Sequence, residues 1–151
     1  MLKLKIPPPI YLLLATGIMW LLDHYLPIKE LITAPWNNIG LVFVILGLSS
    51  DGMSLVQFFR AHTTMNPIHP ENTDKLVTTG MYRFTRNPMY VGLVLLLLGW
   101  AIFLGSLLPF IMLPIFMVVM TKQQIIPEEH ILEHKFGQQY RDYKLAVKRW
   151  L

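Results

Sequence analysis

The sequence has no cysteine, and that single absence removes disulfide scaffolds, thiolate zinc sites, C-x-x-C redox chemistry and cysteine nucleophiles together. It is equally short of charge. Only 15% of its 151 residues are Asp, Glu, Lys or Arg, whereas a soluble domain carries about 25%. A chain of this size has too much surface for so few charges to cover, which excludes a soluble monomer. Internal repeats and low-complexity tracts are missing as well. What remains is apolar: 54% of the residues are hydrophobic and the mean hydropathy is +0.46. The length suits one domain over 1–151. A net charge of +4 would suit nucleic acid in a polar chain, but in an apolar one it marks cytoplasmic loops, so no nucleic-acid partner is expected.

Four apolar stretches approach the roughly 20 residues that cross a bilayer core as a helix: 10–26, 39–59, 89–107 and 108–126. The first also resembles a signal peptide, with Lys3 and Lys5 as its basic region. No small-x-small cleavage site follows, and Trp20, Asp23, His24 and Tyr25 suit an interfacial helix end, so it is read as a span. Basic residues then set orientation. Lys3 and Lys5 precede the first span, Arg60, Lys75, Arg83 and Arg86 lie between the second and third, and Lys122 to Arg149 lie near or after the fourth. The other two connections hold only Lys29. Both termini and the 60–87 loop are therefore expected in the cytoplasm. The expected architecture is all-α: an integral membrane protein with four transmembrane helices, an ordered cytoplasmic loop and a C-terminal amphipathic helix over 128–150. Leu132, Phe136, Tyr140, Tyr143, Val147 and Leu151 form that helix's apolar stripe, which either lies on the membrane surface or folds back over the span ends.

The scarce polar groups mark where chemistry belongs. Arg86-Asn87-Pro88-Met89-Tyr90-Val91-Gly92 opens the third span with an N-cap Asn and a Pro at the first helical position. Free N–H groups, the positive dipole end and Arg86 together make a site for a carboxylate or phosphate. Gly92, one turn in, would let a flat ligand approach the backbone. The third and fourth spans share the tight Gly105–Pro109 turn, so their hairpin returns Glu128 and Glu129 to the face that holds Arg86 and Tyr90. An anion site facing two carboxylates suits a zwitterionic, cationic ligand such as S-adenosylmethionine. His130-Ile131-Leu132-Glu133-His134 spells the H-x-x-E-H zinc signature, but no third ligand is evident, and it reads as a solvated polar face with no metal. Asp51, inside the second span, is either a functional acid or one that fixes helix packing. Asp23 and His24 suit the outer interface, and the nine methionines fill space.

Three runs in order, Thr63-Thr64-Met65-Asn66-Pro67, Leu76 to Arg83, and Arg86 to Gly92, resemble the isoprenylcysteine carboxyl methyltransferase family. So does the ending from Pro127-Glu128-Glu129 through Phe136-Gly137, Tyr140, Tyr143, Val147 and Arg149-Trp150. The resemblance covers roughly residues 40–151. It implies an all-helical membrane enzyme that binds S-adenosylmethionine on the cytoplasmic side without a Rossmann fold, while a lipophilic or small-molecule acceptor such as a carboxylate or thiol comes from the membrane. On the same resemblance, Tyr82, Arg86, Pro88, Tyr90 and Gly92 line the cofactor site, Glu128 and Glu129 close it, and His62, Asn66 and Leu76, Val77 to Gly80 form a lid. Arg86, holding the cofactor's carboxylate, and Glu129, meeting its amine, ribose or sulfonium, carry the catalytic roles. Asn87 stands where many members have His, and Met81 replaces a common Pro. The chain is shorter than eukaryotic members, so a prenylated-protein substrate is not implied. Two other classes fit the same architecture: a sterol-reductase-like membrane enzyme using NADPH, and a non-enzymatic membrane assembly protein.

Overall fold

In the computed structural model, which describes residues 6–60 and 75–151, every regular element is helical. Helix α1 (Pro8–Tyr25) opens on a proline, whose missing N–H has no intrahelical partner at that position in any case. A 3-10 turn at Trp36–Ile39 leads into α2 (Gly40–Arg60), and α3 spans Pro88–Leu104. These bounds lie within a few residues of the first three expected spans. Trp36–Gln57 and Leu108–Phe136 are long and apolar enough to cross a membrane, and α3 is a shorter helix of 17 residues, apolar throughout.

Helix α3 is the hub. One side packs Leu97 and Ala101 against Ala15 and Met19 of α1 and against Phe116 and Met120, forming the apolar core. The other side meets α2 antiparallel through glycines, Gly40 against Gly99 and Gly47 against Gly92, so the two backbones touch. Trp100 Nε1 donates to Thr16 O of α1 at 3.2 Å. At the far end, Gly105 O accepts from Leu31 N (2.8 Å) and Ile32 N (3.0 Å), closing the 26–35 segment over the α3 turn. Leu13, Leu14 and Ile18 of α1, Leu41, Val42, Ile45 and Leu46 of α2, and Ile115 and Val118 beyond the turn all face outward. Such a surface is a liability in water and suits hydrocarbon.

The helix expected to form the fourth span does not end at Ile126. After a 3-10 turn at Leu108–Ile111, α4 (Met112–Met120) passes through a π turn at Thr121–Ile125 into α5 (Ile126–Phe136), one helical run from Leu108 to Phe136. Pro127 has no N–H for the carbonyl of Gln123 and its ring would crowd that group. Widening the helix by one residue just before the proline relieves the clash without a break. The expected helix over 128–150 is interrupted instead at Gly137, whose φ of +54° suits glycine. Helix α6 (Gln138–Ala146) follows, and Val147 begins an extended tail. Of the two placements for the apolar stripe, the chain adopts the folded-back one. Tyr140 and Tyr143 are buried with Tyr82 among Leu76, Val77, Leu132, Phe136 and Val147, while Leu151 is exposed. Tyr143 O–H donates to Tyr82 O at 2.7 Å. Tyr143→Phe is expected to cost about 1–3 kcal/mol by stranding that buried carbonyl, read as a lower melting temperature in detergent.

Candidate functional site

The start of α3 is held by α2 on one side and by the C-terminal tail on the other. Ser50 Oγ of α2 donates to Pro88 O at 3.0 Å. Arg86 N donates to Lys148 O at 2.9 Å, and both Thr85 Oγ1 (3.1 Å) and Asn87 Nδ2 (2.9 Å) donate to Arg149 O. Trp150 Nε1 donates to Thr121 Oγ1 at 3.2 Å, tying the tail to the π turn. Asn87 occupies the N-cap position and Pro88 the first turn, as the sequence predicts. The Asn87 side chain, however, does not cap the helix: its amide is spent on the tail, and its backbone N–H donates to Thr85 Oγ1 at 3.1 Å.

Beside this start stands a buried charge cluster. Arg149 grips Glu129 with a two-pronged fork, Nε to Oε1 at 2.9 Å and Nη2 to Oε2 at 2.7 Å. Arg86 Nη1 lies 3.0 Å from Glu129 Oε1, in ion-pair range but out of hydrogen-bond alignment. The Arg86 and Glu129 side chains are only 9% and 8% exposed, so the attraction is little screened. Arg86 Nε and Nη1 are buried and make no aligned hydrogen bond among the described residues, which leaves this guanidinium unfilled donor capacity. One turn along α3, Tyr90 O–H donates to Glu128 Oε1.

Three phenols roof the cluster. Burial pushes Tyr140 up to about 12, the Glu129 charge adds to this, and Arg86 opposes it. Burial raises Tyr82 and Tyr143 further still. All three are neutral hydroxyls at physiological pH, able to donate hydrogen bonds. The hydrogen bonds to Glu129 hold the Arg149 guanidinium above its ordinary value.

The structure thus gathers Arg86, Pro88, Tyr90, Glu128 and Glu129 at one end of the bundle, with Tyr82 above them and Leu76 and Val77 packed on the tyrosine cluster. Gly80, at φ +62°, lies under the Gln57 amide. Oriented to satisfy both neighbours, that amide donates to Thr79 O (3.1 Å) and accepts from Met81 N (3.0 Å), bolting α2 to the turn. His62 and Asn66 lie outside the described residues. Gly92 faces α2, where a Cβ would overlap the Asp51 carboxylate and stand 3.0 Å from Gly47 O. In the H-x-x-E-H run, Glu133 pairs with Lys144 Nζ at 2.9 Å, and His130 and His134 are exposed. Sequence reasoning missed Arg149 as the main partner of Glu129. The signal was present, an arginine beside Trp150 at the end of a charge-poor chain, but twenty residues separate it from its partner.

These features define an all-helical protein that concentrates its buried charge around one helix start. Comparison with known proteins places it more narrowly: the chain belongs to the phospholipid methyltransferase family, whose sequence model matches residues 36–139. An uncharacterized protein of Haemophilus influenzae is 48% identical over 63 residues, 42% of this chain and all of that one. A probable protein-S-isoprenylcysteine O-methyltransferase of rice is 31% identical over 111 residues, 74% of this chain and 58% of that one. Protein-S-isoprenylcysteine O-methyltransferase B of Arabidopsis thaliana is also 31% identical, over 74% of this chain and 56% of its own. The resemblance read from the motifs is therefore borne out, and the chain spans a little over half the length of these plant relatives. No solved structure matches.

Proposed function

We propose that the chain is a membrane-embedded enzyme that binds S-adenosylmethionine at the α3 start and passes its methyl group to a lipophilic acceptor arriving from the bilayer. The observation that carries this reading is the buried Arg86–Glu129 pair beside Tyr90–Glu128, four residues that all lie in the segment matched by the methyltransferase family. The donor set fits the cofactor. The unfilled Nε and Nη1 of Arg86, together with the positive end of the α3 dipole, suit an amino-acid carboxylate. Glu128 and Glu129 suit its ammonium or ribose, and Tyr82 with the Pro88 turn suits a flat ring. Leu76, Val77 and Gly80 would close over it, with His62 and Asn66 as further lid residues. Bound there, the cofactor would supply an electrophilic methyl on a sulfonium; the chain's part is to bind, orient and exclude water.

Four spans, with both termini and the 60–87 loop in the cytoplasm, accord with the distribution of basic residues and with the apolar exterior. The relatives' printed name, an isoprenylcysteine O-methyltransferase, supports a lipid-bearing acceptor. Calorimetry of the purified chain with S-adenosylhomocysteine tests the reading. Saturable binding is expected, weakened at least about tenfold in Arg86→Ala by loss of a charge-assisted contact. No binding at millimolar ligand overturns it, and binding of NADPH in its place would favour the reductase class.

A further inference from the structure

Asp51 is an ionisable group near this end of the bundle that the proposed cofactor contacts leave unused. Its place is set by its neighbours. Ser50 Oγ is bonded to Pro88 O at 3.0 Å and Ser54 Oγ to Ser50 O at 2.8 Å, so this turn of α2 is pinned to the first turn of α3. Across the seam stands Gly92, and a side chain there would overlap the Asp51 carboxylate. The missing Cβ therefore admits the acid to the α2–α3 seam, four residues or about 6 Å along α3 from Pro88.

Unlike its neighbours, this carboxylate is not satisfied by any of the described residues. Glu129 has two arginines and Glu128 has Tyr90, but among the described residues no hydrogen bond or ion pair reaches Asp51, and its Oδ1 is buried. A carboxylate left so in an apolar span is costly, and such groups mark sites that a ligand completes. The residue as a whole is only half-buried, so the seam stays open to an incoming group. Its site adjoins the one proposed for the cofactor: Ser50, next to Asp51, is bonded to Pro88 at the α3 start, and Gly92, which faces Asp51, lies one turn further along the same helix.

We propose that Asp51 receives the head group of the methyl acceptor and takes its proton, so that the acceptor is a lipophilic alcohol, thiol or amine and not a carboxylate. This rests on the methyltransferase reading. A carboxylate head beside an unpaired Asp51 would place two like charges together in a medium that screens them poorly. A protic head instead donates the hydrogen bond that Asp51 lacks. In the transfer, a lone pair of the acceptor heteroatom forms the bond to the methyl carbon of the sulfonium donor. The carbon–sulfur bond breaks with its electron pair returning to sulfur as a thioether, and the proton on the heteroatom passes to Asp51 before leaving to water.

The test uses the full chain in lipid nanodiscs with labelled S-adenosylmethionine and four probes of equal chain length, bearing an alcohol, thiol, amine or carboxylate head. The wild type is expected to label at least one protic probe and not the carboxylate. Asp51→Asn, which keeps the shape but is a poor proton acceptor, should lower kcat on that probe by about 100-fold or more. S-adenosylhomocysteine affinity should stay within about twofold, since each tenfold would mean 1.4 kcal/mol of lost contact. Asp51→Ala should show the same split, and either variant suffices if the other does not fold. Preferred labelling of the carboxylate probe, labelling of no protic probe, or an unchanged kcat in Asp51→Asn overturns the proposal. Failure of the wild type to bind S-adenosylhomocysteine overturns the underlying methyltransferase reading instead.

Discussion

Glu129→Ala is expected to melt far below the wild type, because it strands two arginines that share one carboxylate. Breaking a buried ion pair by removing one partner costs about 3–5 kcal/mol. The lower figure applies here, since the Arg149 side chain is 36% exposed and recovers some hydration. Arg86→Ala should be milder: it removes a 9% exposed cation but leaves the Arg149 fork on Glu129 intact. The two variants are thus expected to separate in stability while both lose S-adenosylhomocysteine binding. Thermal unfolding in detergent, followed by circular dichroism, reads the first property, and calorimetry the second. A Glu129→Ala protein that melts with the wild type would mean that the cluster is not closed in solution.

The second large effect lies in the glycine seam. A Cβ at Gly40 would overlap Gly99 O and sit 3.0 Å from Phe103 N, and one at Gly99 would sit 2.5 Å from Gly40 O. The obstructing atoms are backbone, which cannot rotate away as a side-chain tip can. Gly40→Ala and Gly99→Ala should each lose about 1–3 kcal/mol, the range for overpacking, by forcing α2 and α3 apart. Gly17→Ala and Gly52→Ala are the controls, since nothing lies within 4 Å of a Cβ at either. With their better helix propensity these two are expected to be neutral or stabilising by up to about 1 kcal/mol. Equal melting of all four variants would show that the seam does not bring the backbones into contact.

The sequence made α1, α2 and α3 legible because apolar runs and the Asn87-Pro88 start are local signals. The course beyond Ile126 was not, since a proline followed by two glutamates is a common helix opening. Only the π turn lets Pro127 sit inside a continuing helix. The break at Gly137 was hidden for the opposite reason. The stripe of Leu132, Phe136, Tyr140 and Tyr143 keeps its helical spacing across the kink, so periodicity alone reports one helix. At the site, Arg86, Tyr90, Glu128 and Glu129 were placed together by the hairpin argument, and they do share one end of the bundle. Their pairing was not legible. Arg86 and Glu129, each expected to meet the ligand, meet each other, and Arg149 joins them from a tail whose return depends on long-range bonds to Thr85 and Asn87. Gly92 was read as room for a ligand. Its actual neighbour, Asp51, lies 41 residues earlier and reaches it only through the α2–α3 register.

The central claim is that the α3 start and its charge cluster form the working end of a methyltransferase. The most direct measurement is transfer of a labelled methyl group from S-adenosylmethionine to a lipid extract by the purified chain, alongside Arg86→Ala. The wild type is expected to place label in the organic-soluble fraction, and Arg86→Ala, still folded, is expected to place almost none there. No incorporation by the wild type, or equal incorporation by both proteins, would contradict the claim.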